Sequence, residues 1–297
     1  MQSIRVPSYA KINLGLLIHG RRRDGFHEIE TILQQIDLRD EIEVSSDKSP
    51  EIRFSCNNPN LPADASNLCV RAAVLLKQKT GVTSGVTIRL NKTIPVGAGL
   101  GGGSSNAAAT LLALNQLWGL NLEAGVLQKW SAELGSDVPF FIRGGAAIAT
   151  GKGEILQPRK ELAHLPILVV FPKLAISTQW AYGQLNLSLT KKKKNANLAS
   201  FNDINFNMVD FTKTLRNEFE EIIFAEFPVL RQIKKQMEES KALFSSLSGS
   251  GSALFAIFRH ETEARMASTK FRNAYPTFVT HPIKWGFGEV NKAFYSI

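Results

Sequence analysis

The residues best suited to chemistry form one string: Pro95-Val96-Gly97-Ala98-Gly99-Leu100-Gly101-Gly102-Gly103-Ser104-Ser105-Asn106, set directly ahead of an alanine-rich, helix-forming run. Its glycines leave backbone N–H groups uncovered by side chains, so the segment can wrap an anion. The helix that follows would aim its positive dipole end and its unpaired first amides at the same spot. A phosphate suits such a site. No lysine follows the last glycine, which excludes a Walker A loop. The preceding Asn91-Lys92-Thr93-Ile94-Pro95 is no buried strand, which excludes the dinucleotide fingerprint.

Moving a phosphoryl group needs held donor phosphates, positive charge against what develops on the transferred group, and an oriented acceptor hydroxyl. Lys11 is the best cation, because it stands in the apolar strand Ala10-Lys11-Ile12-Asn13-Leu14, where a solvated lysine gains nothing. A lysine snorkelling at a strand end is the alternative. Asp137 is the strongest carboxylate, carried on Gly135-Ser136-Asp137-Val138-Pro139, a tight loop in which Pro139 is expected to hold Val138 extended. The alternative is an aspartate that only caps its own turn.

The elements that must position these groups can be read from periodicity. Ile4 to Gly20 predicts a strand, followed by the polar turn Gly20-Arg21-Arg22-Arg23-Asp24-Gly25, a second apolar pattern over Phe26 to Leu38 and a strand at Glu41 to Val44. Ser66 or Asn67 is expected to cap a helix over Leu68 to Lys79 that Gly81 stops, and Gly85 to Leu90 is a strand delivering the chain to the glycine loop. Ser104 or Ser105 is expected to cap the next helix, which runs to Gly119, with a further helix over about Leu122 to Leu134. Phe140 to Gly145 is expected as a strand and turn, and Leu165 to Pro172 contains a buried strand. The C-terminal half predicts helices over Phe211 to Phe224 and Pro228 to Lys241, with the small-residue segment Ser245 to Ala253 lying between helix and strand.

Composition narrows the classes. The chain has 297 residues, 44% hydrophobic and 21% charged, which is ordinary for a globular protein and excludes a mainly disordered one. That length suffices for two lobes, and the break near Glu161 to Leu165 predicts an N-terminal lobe of residues 1–162 and a C-terminal lobe of residues 163–297. The longest apolar run is about eight residues, too short to cross a bilayer. Met1 to Pro7 lacks the layout of a signal peptide, and Cys56 and Cys69 suggest neither a disulfide framework nor a zinc site, so a reduced, cytoplasmic protein is expected. The net charge of +9 and the run Lys191 to Lys194 would suit a nucleic-acid binder. That run lies mid-chain without interleaved aromatics, so a solvated loop is the better reading, and a positive surface also attracts nucleotides.

The glycine string resembles the phosphate loop of the small-molecule kinases named for galactose, homoserine, mevalonate and phosphomevalonate. Further motifs narrow the resemblance. Ala10 to Leu14, Gly20-Arg21-Arg22-Arg23-Asp24-Gly25-Phe26-His27-Glu28, Asp64 with Asn67, Leu68 and Arg71, Gly135 to Phe141, and Ser248-Gly249-Ser250-Gly251-Ser252 follow in the order typical of the 4-diphosphocytidyl-2-C-methyl-D-erythritol kinases. The match runs over essentially the whole chain. It implies a two-lobed α+β fold and ATP- and Mg²⁺-dependent phosphorylation of the 2-hydroxyl of the cytidylyl alcohol in isoprenoid biosynthesis, by a monomer or homodimer with no nucleic-acid or membrane partner.

By the same resemblance, Asp137 takes the acceptor proton and Lys11 stabilises charge, with Asn13 assisting. ATP lies on Pro95, Gly97, Gly99, Leu100, Gly101, Gly102, Gly103, Ser104, Ser105 and Asn67, with Ser104 also reaching Mg²⁺. Phe26, His27, Lys152 and Tyr182 hold the cytidine side. Phe26 stands where tyrosine is usual, and Asn106 replaces the commoner aspartate, which is expected to lower negative charge near the phosphates. Another small-alcohol kinase of the superfamily, or a nucleotide-binding protein without catalysis, are the alternatives.

Overall fold

A computed structural model describes residues 2–160, 162, 164–189 and 215–284 of the chain. The first two strands are long and antiparallel: β1 (Ser3–Arg21) pairs along its length with β2 (His27–Asp47). The central stretch of β1 is buried on both faces, so its pattern is nearly continuous and not alternating. Three register shifts, between Tyr9 and Ala10, Asn13 and Gly15, and Ile18 and Gly20, bend the pair.

β2 is the hub of a six-stranded sheet, with β1 paired along one side of it. β2 also pairs with β4 (Gly85–Asn91) and β5 (Ala146–Gly151). β3 (Ile52–Cys56) lies parallel to β4, and β6 (Ile155–Arg159) closes the other edge against β5. Helix α1 (Leu68–Thr80) starts and stops as its ends predict: Asn67 Oδ1 accepts from the Cys69 N–H at 2.9 Å, and Gly81 ends it in the left-handed conformation.

Helix α2 (Gly102–Leu117) is apolar around most of its circumference and is buried accordingly, between α1 and the sheet. Helix α3 (Ala124–Ser131) is shorter than its sequence pattern suggests, and α4 (Val138–Arg143) occupies a segment expected to hold a tight loop, a strand and a turn. Pro139 sits in the first turn of α4, where its missing N–H costs nothing, so Val138 is helical. Phe140, Phe141 and Ile142 are all buried, and an apolar run this short carries no period that separates helix from strand.

A second sheet of four strands follows, in the order β10 (Thr277–Thr280), β7 (Ile167–Val170), β9 (Leu254–Ile257) and β8 (Phe244–Leu247), all antiparallel. Around it lie α5 (Thr178–Leu189), α6 (Glu220–Glu226), α7 (Pro228–Glu238) and α8 (Glu261–Ser268). Asn217 and Phe219 precede α6 in a bridge and a turn, so that helix begins later than its sequence suggests; 211–214 and the lysine run lie outside the described residues. Ser245 to Leu247 belong to β8, leaving 248–253 as the connection to β9. One apolar cluster mixes residues of both sheets: Ile12, Leu14, Leu17 and Ile32 of the first pack with Ile167, Val169, Phe255 and Ile257 of the second. The cleft described below opens beside this junction.

Candidate active site

The glycine loop ends on α2 without a side-chain cap. Gly101, left-handed at φ 69°, is the N-cap residue, so Ser104 and Ser105 lie inside the first turn and do not cap the helix as expected. The first-turn amides that a capping side chain would have taken are left for a ligand, and no acidic residue occupies that turn. Two glycines are demanded by close approach. A Cβ on Gly101 would lie 2.7 Å from Phe141 Cζ and 3.0 Å from Lys11 Cγ; one on Gly99 would lie 2.0 Å from the Ser248 carbonyl oxygen. The second contact marks where the 248–252 loop docks, with Ser248 Oγ donating to Gly99 O at 3.0 Å and Ala253 N donating to Ala98 O at 3.0 Å.

Lys11 reaches the cleft from the middle of β1, where its backbone N–H donates to Leu100 O. Its ammonium is almost fully buried and donates to Asn13 Oδ1 at 2.5 Å and to Gly99 O at 2.9 Å. Asn13 in turn donates to Thr31 Oγ1 at 2.8 Å, and Thr31 donates to Gly15 O at 2.7 Å, so both side chains are locked. Asp137 Oδ2 lies 3.8 Å from Lys11 Nζ. Burial pushes the Lys11 ammonium below the usual lysine range, and the Asp137 charge opposes that shift. A lysine so enclosed is not snorkelling. Asp137 occupies the N-cap position of α4 but makes no capping hydrogen bond, which leaves its partly exposed carboxylate for other work.

The outer end of the cleft is aromatic. His27, buried at the start of β2, stacks on Tyr182 of α5 with ring centroids 4.7 Å apart and planes 22° from parallel. Tyr182 rests edge-on against Phe219 at 4.9 Å. Burial, and secondarily the charge of Asp137, pushes the Tyr182 phenol up to about 12. Phe26 is 57% exposed, and Lys152 Nζ lies 4.6 Å from the centre of its ring. The turn that presents Phe26 is held by Arg22, which pairs with Asp24 and Glu28, and by Asp24 Oδ1, which accepts from the Phe26 N–H at 3.2 Å.

These groups line one cleft of about 1060 Å³. It brings together Lys11, Asn13, Phe26, His27, Asn67, Pro95, Gly97, Gly99 to Ser104, Asp137, Lys152 and Tyr182. Ser105 is not among them: it is buried, and its hydroxyl accepts from Ser8 Oγ at 2.8 Å. Asn67 lines the cleft, but its amide also caps α1 and donates to Pro62 O at 2.8 Å. Asn106 turns inward, donating to Asp40 Oδ2 and Ser8 Oγ, each at 2.8 Å.

Sequence reasoning missed Thr31, Lys92 and Asp40. For Asp40 a signal was present: Leu38, Asp40, Ile42 and Val44 share the buried phase of β2, and a carboxylate on that phase needs a partner. Among the described residues no group of three or more His, Cys, Asp or Glu is placed to hold a metal, and no helix is long and apolar enough to cross a membrane.

Residues 67–145 match the family described as GHMP kinases N terminal domain, and residues 194–277 match GHMP kinases C terminal. A 4-diphosphocytidyl-2-C-methyl-D-erythritol kinase of Prosthecochloris aestuarii is 42% identical over 276 residues, covering 93% of this chain and 96% of that one. A crystal structure of 4-(cytidine 5'-diphospho)-2C-methyl-D-erythritol kinase superposes with a TM-score of 0.78 at 32% identity, over 94% of this chain and 99% of that one. Homoserine kinase from Cytophaga hutchinsonii superposes at 0.75 with 19% identity over 97% and 96% of the two chains, a likeness of fold alone.

Proposed function

The chain belongs to the GHMP kinase family and, within it, to the 4-diphosphocytidyl-2-C-methyl-D-erythritol kinases, and from that premise we propose how its cleft carries out the reaction. The activity is an ATP-dependent phosphorylation of the cytidylyl alcohol in the isoprenoid pathway. ATP phosphates lie on the amides of Gly101 to Ser104. The substrate's 2-hydroxyl lies beside Asp137, and its cytosine lies at the His27–Tyr182 end. The alcohol oxygen bonds to the γ-phosphorus, the bond from that phosphorus to the ADP oxygen breaks, and the hydroxyl proton passes to Asp137.

Lys11 adds positive charge where the transferred group becomes most anionic, and Asn13, locked by Thr31, keeps the ammonium aimed. A buried ammonium counts for more here than in water, because the cleft wall is of low dielectric. The observation that carries the scheme is the Lys11–Asp137 pair itself, set between an uncapped helix N-terminus and a stacked aromatic wall.

Mg²⁺ is part of the proposal. The half-buried Ser104 hydroxyl, which lines the cleft beside the loop amides, would help hold an ion carried mainly by the nucleotide phosphates. When bound, it neutralises phosphate charge. The proposal also divides the chain into a nucleotide-binding lobe, 1–162, and a lobe contributing to the substrate, 163–297, in a cytoplasmic monomer or homodimer without nucleic-acid partners. ADP release, measured by a coupled assay over the cytidylyl alcohol, homoserine and mevalonate, tests the reading. The cytidylyl alcohol should exceed the others in kcat/KM by several powers of ten, and a preference for either small alcohol overturns it.

A further inference from the structure

The strongest unassigned feature is a buried carboxylate beneath the phosphate loop. Asp40, in the second half of β2, has no solvent exposure. Its Oδ1 accepts from the backbone N–H groups of Thr93 and Ile94, each at 2.7 Å. Its Oδ2 accepts from Lys92 Nζ at 2.6 Å and from Asn106 Nδ2 at 2.8 Å. These donors come from both ends of the loop: 92–94 lead into it, and Asn106 lies in the opening turns of α2, which leaves it. Lys92 also donates to Ile94 O at 2.7 Å, and Asn106 to Ser8 Oγ at 2.8 Å. The arrangement constrains the loop as well, because a Cβ on Gly102 would lie 2.9 Å from Lys92 Nζ.

A buried ion pair of this kind is a poor source of net stability, since desolvation offsets most of the attraction, whereas its directional bonds fix geometry. We propose that Asp40 is a positioning residue for the nucleotide: one carboxylate clips the entry and exit of the phosphate loop together, so that the amides of Gly101 to Ser104 converge on a single anion. The inference rests on the reading of that loop as the ATP-phosphate site. Asp40 touches no substrate and acts through the backbone it holds.

Three variants test it: Asp40→Asn, Asn106→Ala and, as a control on the loop, Gly101→Val, each checked for folding by circular dichroism. Asp40→Asn keeps the side-chain shape but removes the charge opposite Lys92 and turns one acceptor into a donor facing donors. It should raise KM for ATP and Kd for ADP roughly tenfold or more while KM for the cytidylyl alcohol and kcat at saturating ATP stay within about threefold. Asn106→Ala frees only the exit and leaves the Lys92 pair intact, so about a threefold loss confined to the nucleotide is expected. If Asp40→Asn does not fold, Asn106→Ala decides. Wild-type nucleotide affinity in the folded variants, or equal losses for both substrates and kcat, overturns the proposal. If Gly101→Val weakens ATP and the other two do not, only the role of Asp40 falls; if Gly101→Val also leaves ATP unchanged, the loop reading falls with it.

Discussion

Lys11 Nζ and Asp137 Oδ2 stand 3.8 Å apart, close enough to share charge but beyond the reach of a direct hydrogen bond. The ammonium is satisfied by Asn13 and Gly99, whereas the carboxylate makes no capping bond at the helix it begins. The pair therefore sets a fixed cation beside a carboxylate that its own helix leaves uncommitted.

Asp137→Asn should retain ATP and substrate binding within a few-fold while kcat falls by roughly 10²-fold or more, the usual cost of losing a general base. Lys11→Met should lower kcat similarly if its charge acts in the transition state. Near-normal turnover in the Asp137 variant or in the Lys11 variant would contradict this.

Tyr182 gives a pH prediction. Its phenol is raised to about 12 in the folded protein from the ordinary 10.0, so between those values the folded state holds a proton that the unfolded state has lost. Its contribution to stability is complete below pH 10 and disappears as the pH rises through about 12. Burial also raises the Tyr9 phenol, so ultraviolet titration should find late-ionising tyrosines, of which Tyr182 is the one whose delay shortens in Asp137→Asn. A Tyr182 that ionises near its ordinary value while the protein remains folded would refute the burial.

Gly99→Ala combines a left-handed φ of 77° with a Cβ only 2.0 Å from the Ser248 carbonyl oxygen. The 248–252 loop must retreat. Thermal unfolding should show a loss above the roughly 1 kcal/mol typical of strained glycine replacements, with weaker ATP binding. Unchanged stability would remove the contact between the loops.

Phe26 and Lys152 should be coupled. Their cation–π contact is solvent-exposed and worth on the order of 0.5–1 kcal/mol. Phe26→Ala and Lys152→Met should each raise KM for the cytidylyl alcohol by a few-fold, and the double variant should lose less than the product of the two. Strict multiplicativity would show that the two side chains act separately.

Much of this architecture is legible in the residues. The β1–β2 pair, the Asn67 cap and Gly81 stop of α1, and the gathering of Lys11, Asp137, His27 and the glycine loop in one cleft follow the sequence signals closely. The segment after Asp137 does not. Pro139 restricts the residue before it in most contexts, yet at a helix start it is welcome, and nothing local distinguishes the two. Ser104 and Ser105 look like caps because serine caps well, but a left-handed Gly101 takes that place and leaves the amides open. Asp40 shares the apolar phase of Leu38, Ile42 and Val44, but Asp37, Arg39 and Glu41 beside it give the stretch the look of a solvated edge and mask that signal.

The most direct test of the central claim is kcat/KM for the cytidylyl alcohol against free methylerythritol phosphate, which lacks the base, in the wild type and in His27→Ala and Tyr182→Ala. The wild type should prefer the complete substrate by about 10²-fold or more, because a site built to pair with a base leaves polar groups unsatisfied without it. Both variants should erode that preference through KM for the alcohol while KM for ATP holds. Comparable wild-type activity on the truncated alcohol, or equal effects on ATP, would contradict the account.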